Sequence, residues 1–225
     1  MRMLLALVLM TAMLSHGQTY PTKPIRVVVP FAAGSVGEVV ARIVAENLEK
    51  RASYRLVVDM RPGAGGNIGA SIVAASAADG YTLLLGANNN FVVNQFLFRD
   101  APPLAAFEPV TVVADLPLVV YVPATMPAMT LKELIAYVRA NPGRLNFASP
   151  GPGTAPHLAG ELFSQLFKAD IVHVPYQSGG QAVTSLLSGE TQIYIAGLAV
   201  GKPHVESGRL RALAVAARNR FSSMP

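Results

Sequence analysis

The 225-residue sequence predicts an α/β protein of two lobes with mostly parallel sheets. Short β-branched runs such as residues 25–29 alternate with segments such as residues 36–50, whose apolar side chains recur at helical spacing. This alternation is typical of parallel strands covered by helices on both faces. It is interrupted near Pro102-Pro103 and then resumes, which indicates two lobes joined by extended crossings near residues 114–122.

Three strand-like runs and two helical segments make up the predicted first lobe. The strands cover residues 25–29, 55–59 and 81–85, and the helices cover residues 36–50 and 67–75. Pro30 ends the first strand, and Asn67 is a candidate N-cap of the second helix. The Asp79-Gly80 turn opens the third strand. Glu38, in the first helix, is expected to be an ordinary solvated charge.

The second lobe follows two extended segments. These cover residues 109–114 and 118–122; helices are then predicted over residues 131–140, 155–167 and 179–187, and strands over residues 145–148, 171–174, 191–195 and 210–216. Thr130 and Glu133 form a capping box for the first of these helices, and Asn141-Pro142-Gly143 ends it. We therefore assign residues 18–116 to the first lobe and residues 117–225 to the second.

The N-terminus has the pattern of a secretory signal peptide. Arg2 precedes an apolar run over residues 4–14, which is too short to span a bilayer, and Ser15 and Gly17 supply small residues at a cleavage site. We expect residues 1–17 to be removed from an exported protein. Because the sequence contains no cysteine, neither disulfides nor a lipid-anchoring cysteine is possible.

Several functional classes are disfavoured by the composition. The 18 Lys and Arg are scattered and are not interleaved with aromatics, so no nucleic-acid partner is expected. No Gly-x-Ser-x-Gly elbow occurs. His157 and Glu161 are four residues apart, but the sequence has no His-Glu-x-x-His pattern and identifies no third metal ligand. We therefore predict no catalytic residue, no metal and no cofactor.

A glycine-rich turn over residues 61–70 is the clearest candidate binding element. Gly63 and Gly65 fit a dinucleotide fingerprint, but Ile68 stands where the third glycine is needed, and no Gly-Lys-Ser/Thr of a P-loop occurs. The turn is followed by a helix, whose free N–H groups suit an anion. Two interpretations remain open: a wall for a substrate carboxylate, or a turn needed only for tight strand–helix packing.

Motifs in a fixed order resemble the Bug-type, or tripartite tricarboxylate transporter, substrate receptors. They lie at residues 20–26, 29–34, 61–70, 79–86, 156–163, 172–176 and 208–215, and so cover nearly all of the sequence after the signal peptide. The resemblance implies a periplasmic-binding-protein-like (type II) fold and a non-enzymatic receptor. Such a receptor holds a small organic dicarboxylate or tricarboxylate between its lobes, acts as a monomer and delivers the ligand to a membrane permease.

Candidate ligand contacts are the residues that follow predicted strands at the carboxyl edge of each sheet. They are Phe31, Ala33, Gly34, Ser35, Asn67, Asn88, Asn89, Ser149, Thr154, His157 and Tyr176. Ser35, Asn67 and Thr154 could instead cap helices, and Asn88 and Asn89 could belong to a solvated loop. Phe31 is either a cleft wall or a core aromatic, Tyr176 is a candidate lid with a phenol donor, and His157 is either cleft-facing or structural. His173 is interpreted as structural.

The sequence departs from the family pattern in ways that affect the ligand. Ala196-Gly197 stand where the family commonly has an Asp or another polar residue, which disfavours an amino-acid ligand. Family members also continue well past residue 225, so we expect a truncated chain whose first sheet has an open edge and an uncovered apolar face. The alternatives are a truncated, non-functional receptor remnant and an exported hydrolase on the same alternating fold.

Overall fold

The computed structural model describes residues 20–219, which form two sheets covered by helices. The first sheet contains β1 (Ile25–Val29), β2 (Leu56–Met60) and β3 (Thr82–Leu84), in the order β2-β1-β3. The second contains β4 (Leu118–Pro123), β5 (Leu145–Ser149), β6 (Ile171–Pro175), β7 (Ile193–Gly197) and β8 (Leu210–Val215), in the order β6-β5-β7-β4-β8. The predicted signal peptide, residues 1–17, lies outside the described residues.

Seven α-helices connect the strands of the described part. They are α1 (Val36–Ala52), α2 (Asn67–Ala74), α3 (Asn94–Leu97), α4 (Leu131–Ala140), α5 (Ala155–Phe167), α6 (Gly179–Ser188) and α7 (Leu198–Glu206). A 3₁₀ turn at Ala64–Gly66 precedes α2, a π-helical turn at Asn89–Val93 precedes α3, and a second 3₁₀ turn lies at Leu104–Ala106. Over residues 20–219, no helix has the length and apolar character needed to cross a membrane.

The prediction of mostly parallel sheets in two lobes is confirmed, with one correction. All pairs in the first sheet are parallel, as are β5–β6 and β5–β7 in the second. However, β4 runs antiparallel between β7 and β8, so residues 118–122 are an internal strand and not a crossing between lobes. The other predicted extended segment, residues 109–114, forms no regular element.

The alternation of side chains along β4 explains why helices cover both faces of the second sheet. Val120 and Val122 point into an apolar cluster that includes Phe147, whereas Val119 and Tyr121 point into a second cluster. Because successive strand residues face opposite sides, a fully apolar strand needs cover on both. Helices α4 and α5 supply it on one face, and α6 and α7 supply it on the other.

The core of the first lobe is smaller. Val27 and Val29 of β1 pack with Ala41 of α1. Within the described residues, β2 and β3 form the two edges of this sheet. Val110 and Val112, from the segment that lacks regular structure, are 80% and 84% exposed.

Local capping rules placed one helix correctly and missed another. The Thr130 side chain accepts from the Glu133 N–H, and the Glu133 carboxylate accepts from the Met129 N–H, so the predicted capping box at α4 is confirmed. Helix α7 was not predicted, because its sequence contains Gly201 and Pro203, which disfavour helix interiors. The structure places Gly201 directly against the Tyr121 ring, where a larger side chain would collide.

Candidate functional site

The glycine-rich turn adopts a backbone that favours glycine. Four consecutive residues, Gly63, Ala64, Gly65 and Gly66, have positive φ angles of 126°, 48°, 62° and 93°. Only glycine adopts such angles without steric cost, so Ala64 stores strain that its surroundings must offset. The cap at the start of α2 is Gly66 and not Asn67, which is the first residue of the helix. The prediction of Asn67 as an N-cap is therefore wrong.

Three asparagine side chains hold this turn through a single carbonyl group. The Gly65 oxygen accepts hydrogen bonds from the amide nitrogens of Asn89 at 2.8 Å, Asn94 at 3.0 Å and Asn90 at 3.3 Å. The Asn94 amide also donates to Asn67 Oδ1 at 2.6 Å. All four asparagines are buried. The arrangement offsets the backbone strain by fixing the Gly65 peptide from one side.

This network changes the roles predicted for the asparagine triplet. Asn88 is exposed and remains available to a ligand, whereas Asn89 commits its amide to Gly65 and supports the turn. Sequence reasoning missed Asn94, which is fully buried and whose Oδ1 has no hydrogen-bond partner among the described residues. Its one signal was its position four and five residues after Asn90 and Asn89, which places it near them on a helical segment.

The start of α1 forms a second polar element. The Ser35 hydroxyl accepts from the Glu38 N–H at 3.3 Å, and the Glu38 carboxylate accepts from the Gly34 N–H at 2.8 Å and from Arg42. The Gly34 N–H, and then Arg42, lower the pKa of Glu38. Glu38 is therefore part of a capping box, which corrects its prediction as an ordinary solvated charge. Because a hydroxyl both accepts and donates, Ser35 can cap α1 and still donate to a ligand.

Two further predicted contacts flank this element. Phe31 is half-buried and packs against the first-lobe core, with its ring 3.0 Å from the position of a Cβ atom at Gly37. Of the two predicted roles of Phe31, the structure supports that of a core aromatic, and its half-buried ring still leaves a surface that a ligand can contact. Ala33 and Gly34 are exposed, so this loop can present backbone to a ligand.

Residues 150–154 of the second lobe form a tight loop before α5. The Ser149 hydroxyl accepts from the Gly151 N–H at 3.1 Å and lies 2.6 Å from His173 Nε2. The Thr154 hydroxyl donates to the Gly151 carbonyl at 2.7 Å, and it makes no side-chain capping bond to α5. Ser149 and Thr154 are both buried, so they shape the loop more than they offer groups to a ligand.

His157 and His173 lie side by side behind this loop. Their ring centroids are 4.2 Å apart, and the Phe147 ring stacks on His173 at 4.8 Å. His157 Nδ1 accepts from the Gly153 N–H at 3.2 Å. Burial, followed by the neighbouring His157, lowers the pKa of His173 to about 4, so this ring is neutral near pH 7. The hydrogen bond to Ser149 is consistent with the structural role predicted for His173.

Although Ser149 and His173 are within hydrogen-bond distance, they do not form a nucleophilic pair. Ser149 is fully buried, and its hydroxyl is also engaged by the Gly151 backbone. A serine nucleophile must reach its substrate as well as its base. This geometry gives no support to the hydrolase alternative.

Tyr176 does not form the predicted lid. It packs against the second-lobe cluster that contains Tyr194, and its hydroxyl is buried. Burial is also the main reason that the pKa of Tyr176 is raised. The phenol therefore points into the second lobe.

The glycine turn of the first lobe touches the loop of the second lobe. A Cβ atom at Gly65 would lie 3.3 Å from the Pro152 carbonyl oxygen. A Cβ atom at Gly153 would lie 2.9 Å from Leu97 and 3.1 Å from Asn94 Oδ1. These tight approaches, together with positive φ angles of 62° at Gly65 and 79° at Gly153, favour glycine on both sides. They bring the carboxyl ends of β2 and β5, one from each sheet, to the same place.

A cavity of about 320 Å³ lies between the lobes, and Gly34 is the one predicted ligand contact that lines it. Residues of α1 line it on one side and residues of α6 and α7 on the other: Gly34, Val36, Val39, Gly180, Val183, Thr184, Leu187, Ala199, Val200 and His204. A second depression, of about 550 Å³, lies on the surface of α4 and α5 and contains none of the predicted contacts. The interlobe cavity is therefore the one associated with the candidate site.

Known proteins are similar to this chain in sequence and in fold. The chain is 38% identical over 210 residues to BugT of Bordetella pertussis, covering 92% of this chain and 64% of that protein. A structure of an R. palustris protein with adipate superposes with a TM-score of 0.82 at 34% identity, covering 89% of this chain and 68% of that one. MatC from Rhodopseudomonas palustris with bound malate gives a TM-score of 0.80 at 28% identity, with 89% and 69% coverage.

The curated relatives are longer than this chain. The chain spans 62% to 68% of the length of three curated relatives. Periplasmic binding proteins are among its structural neighbours. Residues 40–225 match the profile described as the tripartite tricarboxylate transporter family receptor. This profile describes a receptor, which agrees with the predicted receptor class. The chain therefore belongs to the tripartite tricarboxylate transporter receptor family.

Proposed function

We propose that the chain captures a small organic dicarboxylate or tricarboxylate between its lobes and presents it to a membrane permease. The observation that carries this proposal is the contact between the glycine turn and the loop over residues 150–154. Open α/β sheets bind ligands at the carboxyl ends of their strands, and this contact brings such ends from both sheets together.

The polar groups near this contact favour a carboxylate over a cation. Helices α1 and α6 both begin at the interlobe cavity, and helix N-termini carry partial positive charge and free N–H groups. Ser35 adds a hydroxyl donor. Glu38, the acidic group nearest the start of α1, already accepts from the Gly34 N–H and is ion-paired with Arg42.

The geometry divides the eleven sequence-predicted contacts into two groups. As candidate ligand contacts we retain Phe31, Ala33, Gly34, Ser35, Asn88 and His157. We assign a supporting role to Asn67, Asn89, Ser149, Thr154 and Tyr176, because in each case the residue, or the polar group that it would offer to a ligand, is buried.

The ligand class follows from two considerations. Relatives of this chain have been solved with adipate and with malate, both of which are dicarboxylates. Ala196 and Gly197, at the end of β7, have no side-chain acceptor for the ammonium group of an amino acid. We therefore propose a dicarboxylate without an amino group. Periplasmic export by residues 1–17 belongs to the same proposal, as does the lobe boundary near residue 116.

Calorimetric titration with adipate and malate tests the proposal. We expect saturable binding, and at a ligand concentration of about 100 times Kd the protein gains about 2.7 kcal/mol of stability. The dimethyl esters, which lack both charges, serve as ligand controls. Folded protein that binds neither diacid would overturn the proposal in favour of a receptor remnant, and turnover of an ester would favour the hydrolase.

A matched pair of variants tests the role of Ser35. Ser35→Asp keeps an N-cap oxygen for α1 but removes the donor proton and adds negative charge, so affinity should fall by about ten-fold or more, equivalent to about 1.4 kcal/mol. Thr130→Asp makes the same kind of change at the cap of α4. It should leave binding unchanged. Equal affinities in the two variants would remove Ser35 from the site.

A further inference from the structure

Three side chains with metal-binding groups converge behind the loop over residues 150–154. His157 and Glu161 lie on α5, and His173 lies on β6. One donor atom of each lies within 4.8 Å of the other two, and over residues 20–219 no other cluster of three meets this criterion. The sequence had identified only the first two as a pair, so the missing third ligand was the reason to predict no metal. The structure supplies that ligand.

The positions of these side chains are set by regular structure. His157 and Glu161 are four residues apart, so they lie on the same face of α5, with 3.7 Å between His157 Nε2 and Glu161 Oε1. His173 is paired in register with Phe147 of β5, whose ring stacks on it. A helix turn and a strand therefore hold the cluster, and elements of this kind position ligands more accurately than loops do.

We propose that His157, Glu161 and His173 bind a divalent transition-metal ion, for which Zn²⁺ is the best match. Two imidazoles and one carboxylate form a ligand set that Zn²⁺ accepts, with a fourth position open to water. Metal–ligand bonds of about 2.0–2.2 Å in tetrahedral geometry place ligand atoms about 3.3–3.6 Å apart. The 3.7 Å between His157 Nε2 and Glu161 Oε1 is close to this range. Because the three donor atoms are established only to lie within 4.8 Å of one another, ion binding involves small side-chain shifts, which the exposed Glu161 side chain can make.

A neighbouring hydroxyl orients one of the imidazoles. His173 Nε2 lies 2.6 Å from Ser149 Oγ, which can accept the ring proton while it donates to the Gly151 carbonyl at 3.3 Å. In that tautomer Nδ1 of His173 carries the lone pair that a metal requires. Outer hydrogen bonds of this kind commonly fix the tautomer of a metal-binding histidine.

Metal binding has a consequence for the loop. A neutral imidazole carries one proton, so a metal on His157 Nε2 requires that proton on Nδ1, where the Gly153 N–H now donates. That hydrogen bond must break. Gly153 lies beside Asn94 Oδ1, a buried acceptor that lacks a partner among the described residues. The metal site is thereby linked to the contact between the two lobes.

Equilibrium dialysis of tag-free protein with Zn²⁺ tests the site. We expect one ion per chain, bound saturably, and a visible absorption spectrum of a tetrahedral Co²⁺ complex when Co²⁺ replaces Zn²⁺. Glu161→Gln, an isosteric change at an exposed position, should weaken Zn²⁺ binding by at least about ten-fold, a loss seen even when an outer partner of a metal ligand is removed. His157→Gln should do the same.

Two controls keep the result interpretable. His204→Gln changes a histidine of α7 outside the cluster and should leave Zn²⁺ affinity unchanged. A thermal melt of each variant shows whether it is folded, and because Glu161 is exposed, Glu161→Gln provides a test even where a histidine variant unfolds. Absence of saturable binding, or equal affinity in wild type and Glu161→Gln, would overturn the proposal. Diacid titration without added metal tests the receptor function separately.

Discussion

Replacing Asn94 by Asp is expected to destabilise the protein strongly, because it reverses the polarity of the amide group that holds the glycine turn. The Asn94 amide donates to the Gly65 carbonyl at 3.0 Å and to Asn67 Oδ1 at 2.6 Å. A carboxylate at this position has no proton to donate, so both bonds are lost and three oxygen-bearing groups face one another. The side chain is fully buried, which prevents water from relieving the conflict.

The magnitude follows from the contacts. Loss of the two hydrogen bonds lowers the free energy of unfolding by about 2 kcal/mol. The buried groups that are left without partners lower it by about 1–3 kcal/mol more. The total, about 3–5 kcal/mol, resembles the loss when one partner of a buried charged pair is removed. For a chain of this size each kcal/mol lowers Tm by about 2–4 °C, so we expect a decrease of about 6–20 °C.

The assay is urea denaturation followed by circular dichroism, with Asn88→Asp as the matched control. Asn88 is an exposed residue of the same triplet, so its substitution should change stability by less than about 0.5 kcal/mol. The buried Asp should have a folded-state pKa above its unfolded value. The loss of stability caused by Asn94→Asp should therefore become smaller as pH falls towards the unfolded pKa of about 3.9, because the protonated carboxyl can donate a hydrogen bond. An Asn94→Asp variant as stable as Asn88→Asp at neutral pH would refute the proposed network.

Two further predictions concern packing and pH. Gly160→Ala places a methyl group against the buried Phe147 ring and should lower stability by about 1–3 kcal/mol in thermal melts. Gly180→Ala, at the start of α6, places a methyl group in ordinary contact 3.8 Å from Ser178 Oγ and should be neutral or stabilising. A Gly160→Ala protein no less stable than wild type would contradict the observed packing. The lowered pKa of Glu38 means that its stabilising contribution is present above its unfolded pKa of about 4.3 and is lost as pH falls through the lower folded value. Glu38→Gln should therefore show a shallower loss of stability between about pH 5 and pH 3 in acid titrations; an unchanged profile would argue against the capping box.

Several elements could be predicted closely because their signals are local. The capping box at Thr130, the positive-φ glycines of the turn and the β-branched strand over residues 25–29 depend on neighbouring residues alone, and the structure contains each of them. Other local signals left the structure undecided. Residues 109–114 resemble a strand in composition, but in the structure they pair with no other strand. Gly201 and Pro203 resemble a helix end, yet packing keeps them inside α7.

The candidate site was predictable only in part, for the same reason. Strand ends and helix starts can be located from sequence, and this directed attention to Ser35 and the glycine turn. The commitment of Asn89 to Gly65, and of Tyr176 to the second-lobe core, depends on what each side chain meets in space. A hydroxyl or amide looks the same in a sequence whether it faces a ligand or another part of the protein.

The sequence by itself determined the two-lobed α/β class, the family and the position of the glycine turn, because periodicity, turn chemistry and ordered motifs are properties of neighbouring residues. Only the tertiary structure decided which polar groups support the turn and which remain free. It brought Asn94 to Gly65 across 29 residues and His173 to His157 across 16. Such contacts arise when sheets pair and helices pack, and no local pattern encodes the distance between residues that are far apart in the chain.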